Sequence, residues 1–138
     1  MSVISVEALR ASLGDHFPQG SQYGELESVA DGEAVMRLTV SDQHLRPGGT
    51  VSGPVMMGLA DVAIFFALQT RTGIETMAVT SSLNINFLSK PAADRDLLCH
   101  ARMLKVGKRL AVGEAYLSCG DEADPVAHVT ATYVRPGA

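Results

Sequence analysis

The spacing of hydrophobic residues along the chain changes at about Gly73. Before that residue it is mostly helical: residues 5–13 predict a short amphipathic helix, and residues 55–68 are apolar on nearly every side, which is typical of a buried helix. Residues 24–40 are the exception, because they predict two strands joined by a turn at Asp31-Gly32. After Gly73 apolar and polar residues alternate, which is typical of strands.

Four strands are predicted after the long helix. In the first, residues 79–87, Thr80 belongs to a fully polar face, and the opposite, mostly apolar face consists of Val79, Ser81, Leu83, Ile85 and Phe87. The other three are expected at about residues 96–106, 109–119 and 126–134. Short turns at Gly107-Lys108 and at residues 120–125 join them.

These elements predict an α+β fold. Strands joined by short turns pair antiparallel, and the one long connection in the chain is the helix itself. We therefore expect a curved antiparallel β-sheet wrapped around one long central helix, in one domain that covers residues 1–138. A sheet of this size would protect its edge and outer face by forming dimers.

Composition and charge narrow the choice of partners. The 138 residues carry a net charge of −4, which gives no electrostatic footprint for nucleic acid or an anionic membrane. The apolar run around Asp61 is about 15 residues long, which we take as too short and too polar to span a bilayer. The N-terminus has no basic region and does not resemble a signal peptide, so we expect a cytoplasmic protein.

Neither a metal site nor a disulfide framework is expected. The four histidines, His16, His44, His100 and His128, are scattered without ligand spacing. Cys99 and Cys119 are too few for a cysteine cluster and are interpreted as reduced thiols.

The glycine-rich stretch RPGGTVSGP, residues 46–54, is interpreted as the start of the long helix. Pro54 stands where a phosphate-binding loop needs lysine, and the residues two positions from Ser52 are not the glycines of a nucleophile elbow. Ser52 can instead cap the helix, with Pro54 near its first position. The Gly53 N–H then points from the positive end of the helix, where it could hold a carbonyl or an oxyanion. An ordinary cap without a ligand is the alternative.

Asp61 is a carboxylate inside an apolar helix, which is costly unless it has a partner or a purpose. It lies eight residues after Gly53, on roughly the same side of the helix and about 12 Å along its axis. The two groups would therefore cooperate more easily across a symmetric dimer. A structural carboxylate, paired with a backbone N–H or an arginine, is the alternative.

The stretch from His44 to Pro54, with Asp61 on the helix, resembles the signature of hotdog-fold acyl-CoA thioesterases. The similar branch includes the phenylacetate-pathway and 4-hydroxybenzoyl-CoA thioesterase-like enzymes. Their signature has Asn, two residues, Gly, two residues, His-Gly-Gly and then the helical aspartate. Residues 78–92 and 106–109 also look like the family's third strand and following hairpin. Arg46, Ser52 and Pro54 depart from the signature at its Asn, His and last Gly.

The resemblance implies a role for each matching residue. Gly53 N–H would hold the thioester carbonyl, Asp61 would act as general base or nucleophile, and Thr80 would position the water or the substrate. Basic residues that would meet the coenzyme A phosphates are Lys90, Lys108 and Arg109. The remaining candidates for contact with substrate are His44, Arg46, Gly49 and Ser52; Arg46 could also pair with Asp61.

The leading hypothesis is therefore an acyl-CoA thioester hydrolase. No cofactor is expected, because coenzyme A is part of the substrate, and a homodimer or homotetramer would carry the site at its subunit interface. Two alternatives stay open. A non-catalytic acyl-CoA-binding protein would explain the departures at Arg46 and Ser52. A hydratase or dehydratase on the same fold is disfavoured, because Ser52 stands at the usual histidine position.

Overall fold

The computed structural model describes residues 3–120 and 124–136. The described chain contains two α-helices and two 3₁₀ turns, at Pro18–Tyr23 and Asp42–His44. The helices are α1 (Val6–His16) and α2 (Gly53–Thr72). The strands are β1 (Glu25–Ala30), β2 (Glu33–Leu38), β3 (Leu45–Arg46), β4 (Thr50–Val51), β5 (Val79–Phe87), β6 (Leu97–Val106), β7 (Leu110–Cys119) and β8 (Pro125–Val134).

Six of these strands form one sheet in the order β1-β2-β6-β7-β8-β5. Every neighbouring pair is antiparallel, and α2 contacts all six strands. The predicted α+β hotdog fold, a curved antiparallel sheet around a long central helix, is confirmed. β5 and β1 are the edge strands of the described sheet, so β5 leaves one side of its backbone unpaired within the described chain.

The start of α2 follows from the residues that precede it. The Ser52 hydroxyl accepts a hydrogen bond from Val55 N–H at 3.4 Å, and Pro54 occupies the first turn. Gly73 ends the helix with a φ of +81°, a conformation that favours glycine. The predicted cap is confirmed.

The central helix is longer than its apolar run, because it continues through polar residues to Thr72. At 20 residues it is long and apolar enough to cross a membrane by length and composition alone, so the argument from shortness was wrong. Within that span, however, 61% is buried in the protein. The buried residues of α2 are Met56, Leu59, Ala60, Val62, Ala63, Ile64, Phe66, Ala67, Leu68 and Gln69. The buried residues of the helix pack against the inner face of the sheet and form the hydrophobic core with it.

The alternation predicted for β5 was wrong at its beginning. Thr80 lies opposite Tyr133 and Ser82 lies opposite Thr132, so Ser81 is an extra residue and forms a β-bulge. The bulge turns Thr80 to the inner face together with Leu83, whereas Val79 is 65% exposed. A bulge depends on the pairing of two strands, and the period of one strand carries no sign of it.

Two further segments differ from the expectations. The strand pair β3–β4 was not predicted, although the turn that joins it contains Gly48 and Gly49, both with positive φ. The predicted turn at residues 120–125 lies partly outside the described residues, which omit 121–123.

Candidate active site

Asp61 lies in the middle of α2 and is held by two hydroxyl groups. Thr80 Oγ1 donates to Asp61 Oδ1 at 2.8 Å, and Tyr133 OH donates to the same oxygen at 2.6 Å. Tyr133 OH also lies 2.5 Å from the backbone carbonyl oxygen of Asp61. Because Thr80 is on β5 and Tyr133 is on β8, two adjacent strands fix one carboxylate oxygen.

Tyr133 acts here as a permanent donor. Burial raises its pKa well above the ordinary value of 10.0, and the negative charge of Asp61 raises it further. The phenol is therefore protonated at neutral pH. Asp61 Oδ2 has no partner among the described residues and is not shut away from solvent. The carboxylate thus presents one anchored oxygen and one free oxygen, as a general base or nucleophile requires.

A cleft of about 280 Å³ opens beside Asp61. It runs between α1, α2 and the neighbouring parts of β5 and β8. Aromatic residues on its walls include Phe17, Phe65 and Phe66, whereas Ser12, His16, Gln69 and Thr76 add polar groups. An apolar group with some polar substitution would fit such a lining.

Gly53 offers a free backbone donor at the start of α2. Of the first four helical residues, Val55 and Met56 donate to Ser52, and Pro54 has no N–H. Across residues 3–120 and 124–136, the Gly53 N–H is left without an acceptor. A Cβ at this position would lie 3.0 Å from Phe87 Cζ, so the glycine is close to the end of β5. This donor at the positive end of the helix could bind a carbonyl oxygen.

Gly53 and Asp61 do not meet within one chain. Eight residues of helix place them about 12 Å apart along the axis. Gly53 contacts Phe87 at the end of β5, whereas Asp61 contacts Thr80 near its beginning. One thioester carbonyl cannot reach both groups of the same chain.

The loop before α2 brings the other predicted substrate contacts to the Gly53 end. The backbone oxygen of His44 accepts a hydrogen bond from Ser52 N–H at 2.9 Å. The imidazole ring of His44 is buried, and its Nδ1 accepts a hydrogen bond from Ser41 N–H. Gly49 lies in the β3–β4 turn. Arg46 is exposed in β3; the partners of Asp61 are Thr80 and Tyr133, so the suggested Arg46–Asp61 pair does not form within the chain.

The three basic residues proposed for coenzyme A lie at opposite ends of the sheet. Lys90 follows β5 at the Gly53 end. Lys108 and Arg109 precede Leu110, which pairs with Val134 at the end where β5 begins. The structure therefore does not bring the three together in one chain.

Other potential reactive groups are less suited to chemistry. Cys99 and Cys119 are free and buried, and burial raises the pKa of the Cys99 thiol far above its ordinary value. In the part of the chain that the structure describes, no three His, Cys, Asp or Glu side chains are close enough to hold a metal ion.

Two residues of the cleft were missed in the sequence. In the sequence, Tyr133 looks like an ordinary aromatic residue of a strand. The alternation of that strand places it on the buried face, where a tyrosine hydroxyl needs a hydrogen-bond partner, and this could have marked it as a candidate. Gln69 reads as part of the polar end of the helix. Only the packing shows that it is 2% exposed.

The fold and the site together define a hotdog domain with a helical carboxylate beside a cleft. The sequence model of the Thioesterase superfamily matches residues 48–126, more than half of the chain. The chain therefore belongs to the thioesterase superfamily.

Individual relatives agree with this assignment. A candidate thioesterase from Silicibacter sp. TM1040 is similar in structure, with a TM-score of 0.89, 43% identity and coverage of 99% of this chain and 95% of that one. A mutant of the phenylacetic acid degradation protein PaaI from Thermus thermophilus has a TM-score of 0.76 and 28% identity, over 86% and 99% of the two chains. A candidate esterase from Pseudomonas aeruginosa is 29% identical over 92 residues, 67% of this chain and 69% of that protein. Family and relatives support thioester hydrolysis in general.

Proposed function

We propose that the protein is an acyl-CoA thioester hydrolase in which Asp61 carries the chemistry. The observation that supports this most directly is the state of the Asp61 carboxylate. Thr80 and Tyr133 hold one oxygen in place, and the other oxygen is free beside the cleft. A carboxylate inside an otherwise apolar helix, with one oxygen anchored and the other without a partner among the described residues, favours a reactive role when it lines a cleft.

The thioester carbonyl binds the Gly53 N–H, which stabilises negative charge as it develops on the oxygen. If Asp61 is a general base, Oδ2 takes a proton from water as the water oxygen bonds to the carbonyl carbon. The C–S bond then breaks, and the coenzyme A thiolate takes up the proton. If Asp61 is the nucleophile, its attack releases the thiolate and leaves a mixed anhydride, which water opens to the acid. Both routes need the same free oxygen.

A symmetric dimer completes the site, because it joins the two halves that one chain keeps apart. β5 is an edge strand, and an edge strand can pair with a second copy of itself. Antiparallel pairing about the middle of β5, near Leu83 and Asn84, places Thr80 opposite Phe87 of the partner subunit. Asp61 then lies near Gly53 of the partner subunit. The same pairing supports a homodimer or homotetramer as the active form.

The basic candidates fit the same assembly. Pairing of two β5 strands brings the Lys90 end of one subunit to the end of its partner where Lys108 and Arg109 would lie. These residues are proposed to meet the phosphates of coenzyme A. Arg46, exposed in the loop before α2, is proposed to contact the substrate at the Gly53 end.

Replacing Asp61 by asparagine tests the proposal. Asp61→Asn keeps an oxygen that can accept from Thr80 and Tyr133 but removes the base and nucleophile. We expect release of free coenzyme A from an acyl-CoA panel to fall by about a hundredfold or more, the usual contribution of a positioned acid or base. Asp31→Asn, at an exposed aspartate of the β1–β2 turn, is the matched control and should retain full activity.

The alternative is a protein that binds acyl-CoA without turning it over, which the departures at Arg46 and Ser52 favour. Calorimetric titration of the wild-type protein separates the two functions. Tight acyl-CoA binding without thiol release would establish the binding protein. Equal turnover by wild type and Asp61→Asn would remove Asp61 from the mechanism.

A further inference from the structure

His44 closes the short turn that leads into the β3–β4 pair. Its backbone N–H donates to the Ser41 backbone oxygen at 2.9 Å, and its ring Nδ1 accepts from the Ser41 N–H at 2.9 Å. A backbone N–H can only donate, so Nδ1 carries no proton and acts as an acceptor. The residue is 8% exposed. Two hydrogen bonds and burial therefore fix both the backbone and the side chain of His44.

The backbone oxygen of His44 connects this turn to the start of α2. It accepts the hydrogen bond from the Ser52 N–H, which extends the β3–β4 pairing by one step. Ser52 is also held from the helix side, because its backbone oxygen accepts from the Met56 N–H at 3.3 Å. The Gly53 N–H belongs to the same planar peptide group as that oxygen. The direction of the Gly53 donor is thus set by the hydrogen bonds on either side of Ser52.

The imidazole ring lies in a different part of the molecule from the Asp61 cleft. It lines a second groove, of about 260 Å³, together with residues at the beginning of β1 and the end of β2. That groove shares no lining residue with the cleft beside Asp61. The ring Nδ1 is already occupied by the Ser41 N–H, so it is not a free acceptor for a substrate. An effect of this ring on the reaction would therefore act through the backbone.

We propose that His44 is a positioning residue, which directs the Gly53 N–H at the thioester carbonyl through its hydrogen bond to Ser52. The inference rests on the proposed function, because it takes Gly53 as the donor that stabilises the oxyanion. Such a donor is effective only when it is held in place before the negative charge develops. A displacement of about 1 Å can cost roughly a hundredfold in rate. The hydrogen bonds of one short turn can therefore control the rate without touching the substrate.

Two amide variants separate positioning from packing. In His44→Asn the side-chain oxygen can take the place of Nδ1, whereas in His44→Gln the terminal amide reaches the place of Nε2. Glutamine fills more of the ring's volume, so a role in packing alone predicts that it rescues activity better. Positioning predicts the reverse: kcat for an acyl-CoA should fall about tenfold or more in the glutamine variant, with little change in KM, and stay within about threefold of the wild type in the asparagine variant. His100→Asn, at an exposed position of β6, is the matched control and should keep the wild-type kcat.

Hydrogen exchange of the Ser52 amide is a second measurement, and it needs no turnover. This amide hydrogen should exchange slowly in the wild type and in His44→Asn, and faster in His44→Gln. Equal kcat values for the two variants, a better rescue by glutamine, or an unprotected Ser52 amide in the wild type would overturn the role of His44 and leave the hydrolase intact. Absence of thiol release from every acyl-CoA would overturn the hydrolase, and the order of the exchange rates would still decide whether His44 holds Ser52. His44→Met replaces His44→Gln if the latter does not fold.

Discussion

At the scale of single residues, the site depends on hydroxyl groups that act on a carboxylate and do not themselves react. Thr80 and Tyr133 both donate to Asp61 Oδ1, and Oδ2 is left without a partner among the described residues. Hydrogen bonds to a charged acceptor are about twice as strong as neutral ones. The direction of the carboxylate is therefore set by the two strands and not by the helix that carries it.

Thr80→Val should lower kcat/KM by about tenfold to a hundredfold, because it removes one hydrogen bond to a charged group and keeps the shape of the side chain. Since Thr80 positions Asp61, the fall should appear mainly in kcat. Thr80→Ser restores the hydroxyl and should restore most of the activity. Steady-state kinetics of the two variants make the comparison. Equal kcat values for the valine and serine variants would contradict the positioning role.

Asp61 and Gly53 could be selected from the sequence, whereas Tyr133 and Gln69 could not. A carboxylate in an apolar helix and a glycine beside a serine cap are visible in the order of residues. The role of Tyr133 depends on the face that its strand turns to the helix, and the burial of Gln69 depends on what packs against the last turns of α2. Both are properties of tertiary contacts, which periodicity does not report.

At the scale of elements, the outer face of the sheet has its own charged cluster. The Glu114 side chain on β7 is 12% exposed. Its carboxylate forms an ion pair with Arg102 on β6 at 2.6 Å and a hydrogen bond with His128 on β8 at 3.0 Å. The Tyr116 ring packs on that of His128, with centroids 4.5 Å apart. One carboxylate thus connects three adjacent strands across the sheet.

Glu114 should make the protein sensitive to acid. The hydrogen bond from His128, followed by that from Arg102, lowers the pKa of Glu114 below its ordinary value of 4.5. A lowered pKa stabilises the folded state above the unfolded pKa, and this stabilisation is lost as the pH falls through the folded value. Between about pH 5 and pH 3, the free energy of unfolding of Glu114→Gln should therefore fall less than that of the wild type.

Urea unfolding at several pH values measures this difference in slope. Glu25→Gln, at an exposed position of β1, is the control and should follow the wild type. Parallel curves for Glu114→Gln and the wild type would show that the cluster contributes nothing to acid stability.

The elements themselves were largely predictable. The ends of β6, β7 and β8 agree with their predicted limits within one residue, because turn residues and alternation mark them. The apolar run that marks the helix ends at Leu68, and the helix continues for one more turn that is polar in sequence and buried at Gln69 only in the fold. The β3–β4 pair is two residues long on each side, too short to show a period.

At the scale of the whole molecule, the proposed site joins Gly53 of one subunit to Asp61 of another. Gly53→Pro removes the backbone donor at a position where a helix accepts proline, and Gly53→Ala keeps the donor with a similar contact to Phe87. We expect the proline variant to lose activity and the alanine variant to retain much of it. Similar losses in both variants would assign the effect to the contact and not to the donor.

Chains of Gly53→Pro and Asp61→Asn should complement each other when they are coexpressed. Each homodimer has two damaged sites, whereas every mixed dimer has one intact site and one site with both changes. Random assembly makes half of the dimers mixed, so the activity should recover to about a quarter of the wild-type value. Measurement of thiol release from the coexpressed chains provides the test. No recovery, with mixed dimers shown to form, would contradict a site that is shared between two subunits.

The extra residue at Ser81 makes the site depend on how the start of β5 pairs with β8. Ser81 is exposed, its Oγ donates to the Thr132 backbone oxygen at 3.3 Å, and its place outside the ladder leaves Thr80 opposite Tyr133. Deletion of Ser81 should therefore keep Thr80 beside the carboxylate, because Thr80 then adjoins Ser82 in a regular ladder. If Ser81 itself paired with Tyr133, Thr80 would turn to the outer face and the site would lose this donor. A shift of pairing by one residue is thus the change by which this fold could gain or lose its hydroxyl donor.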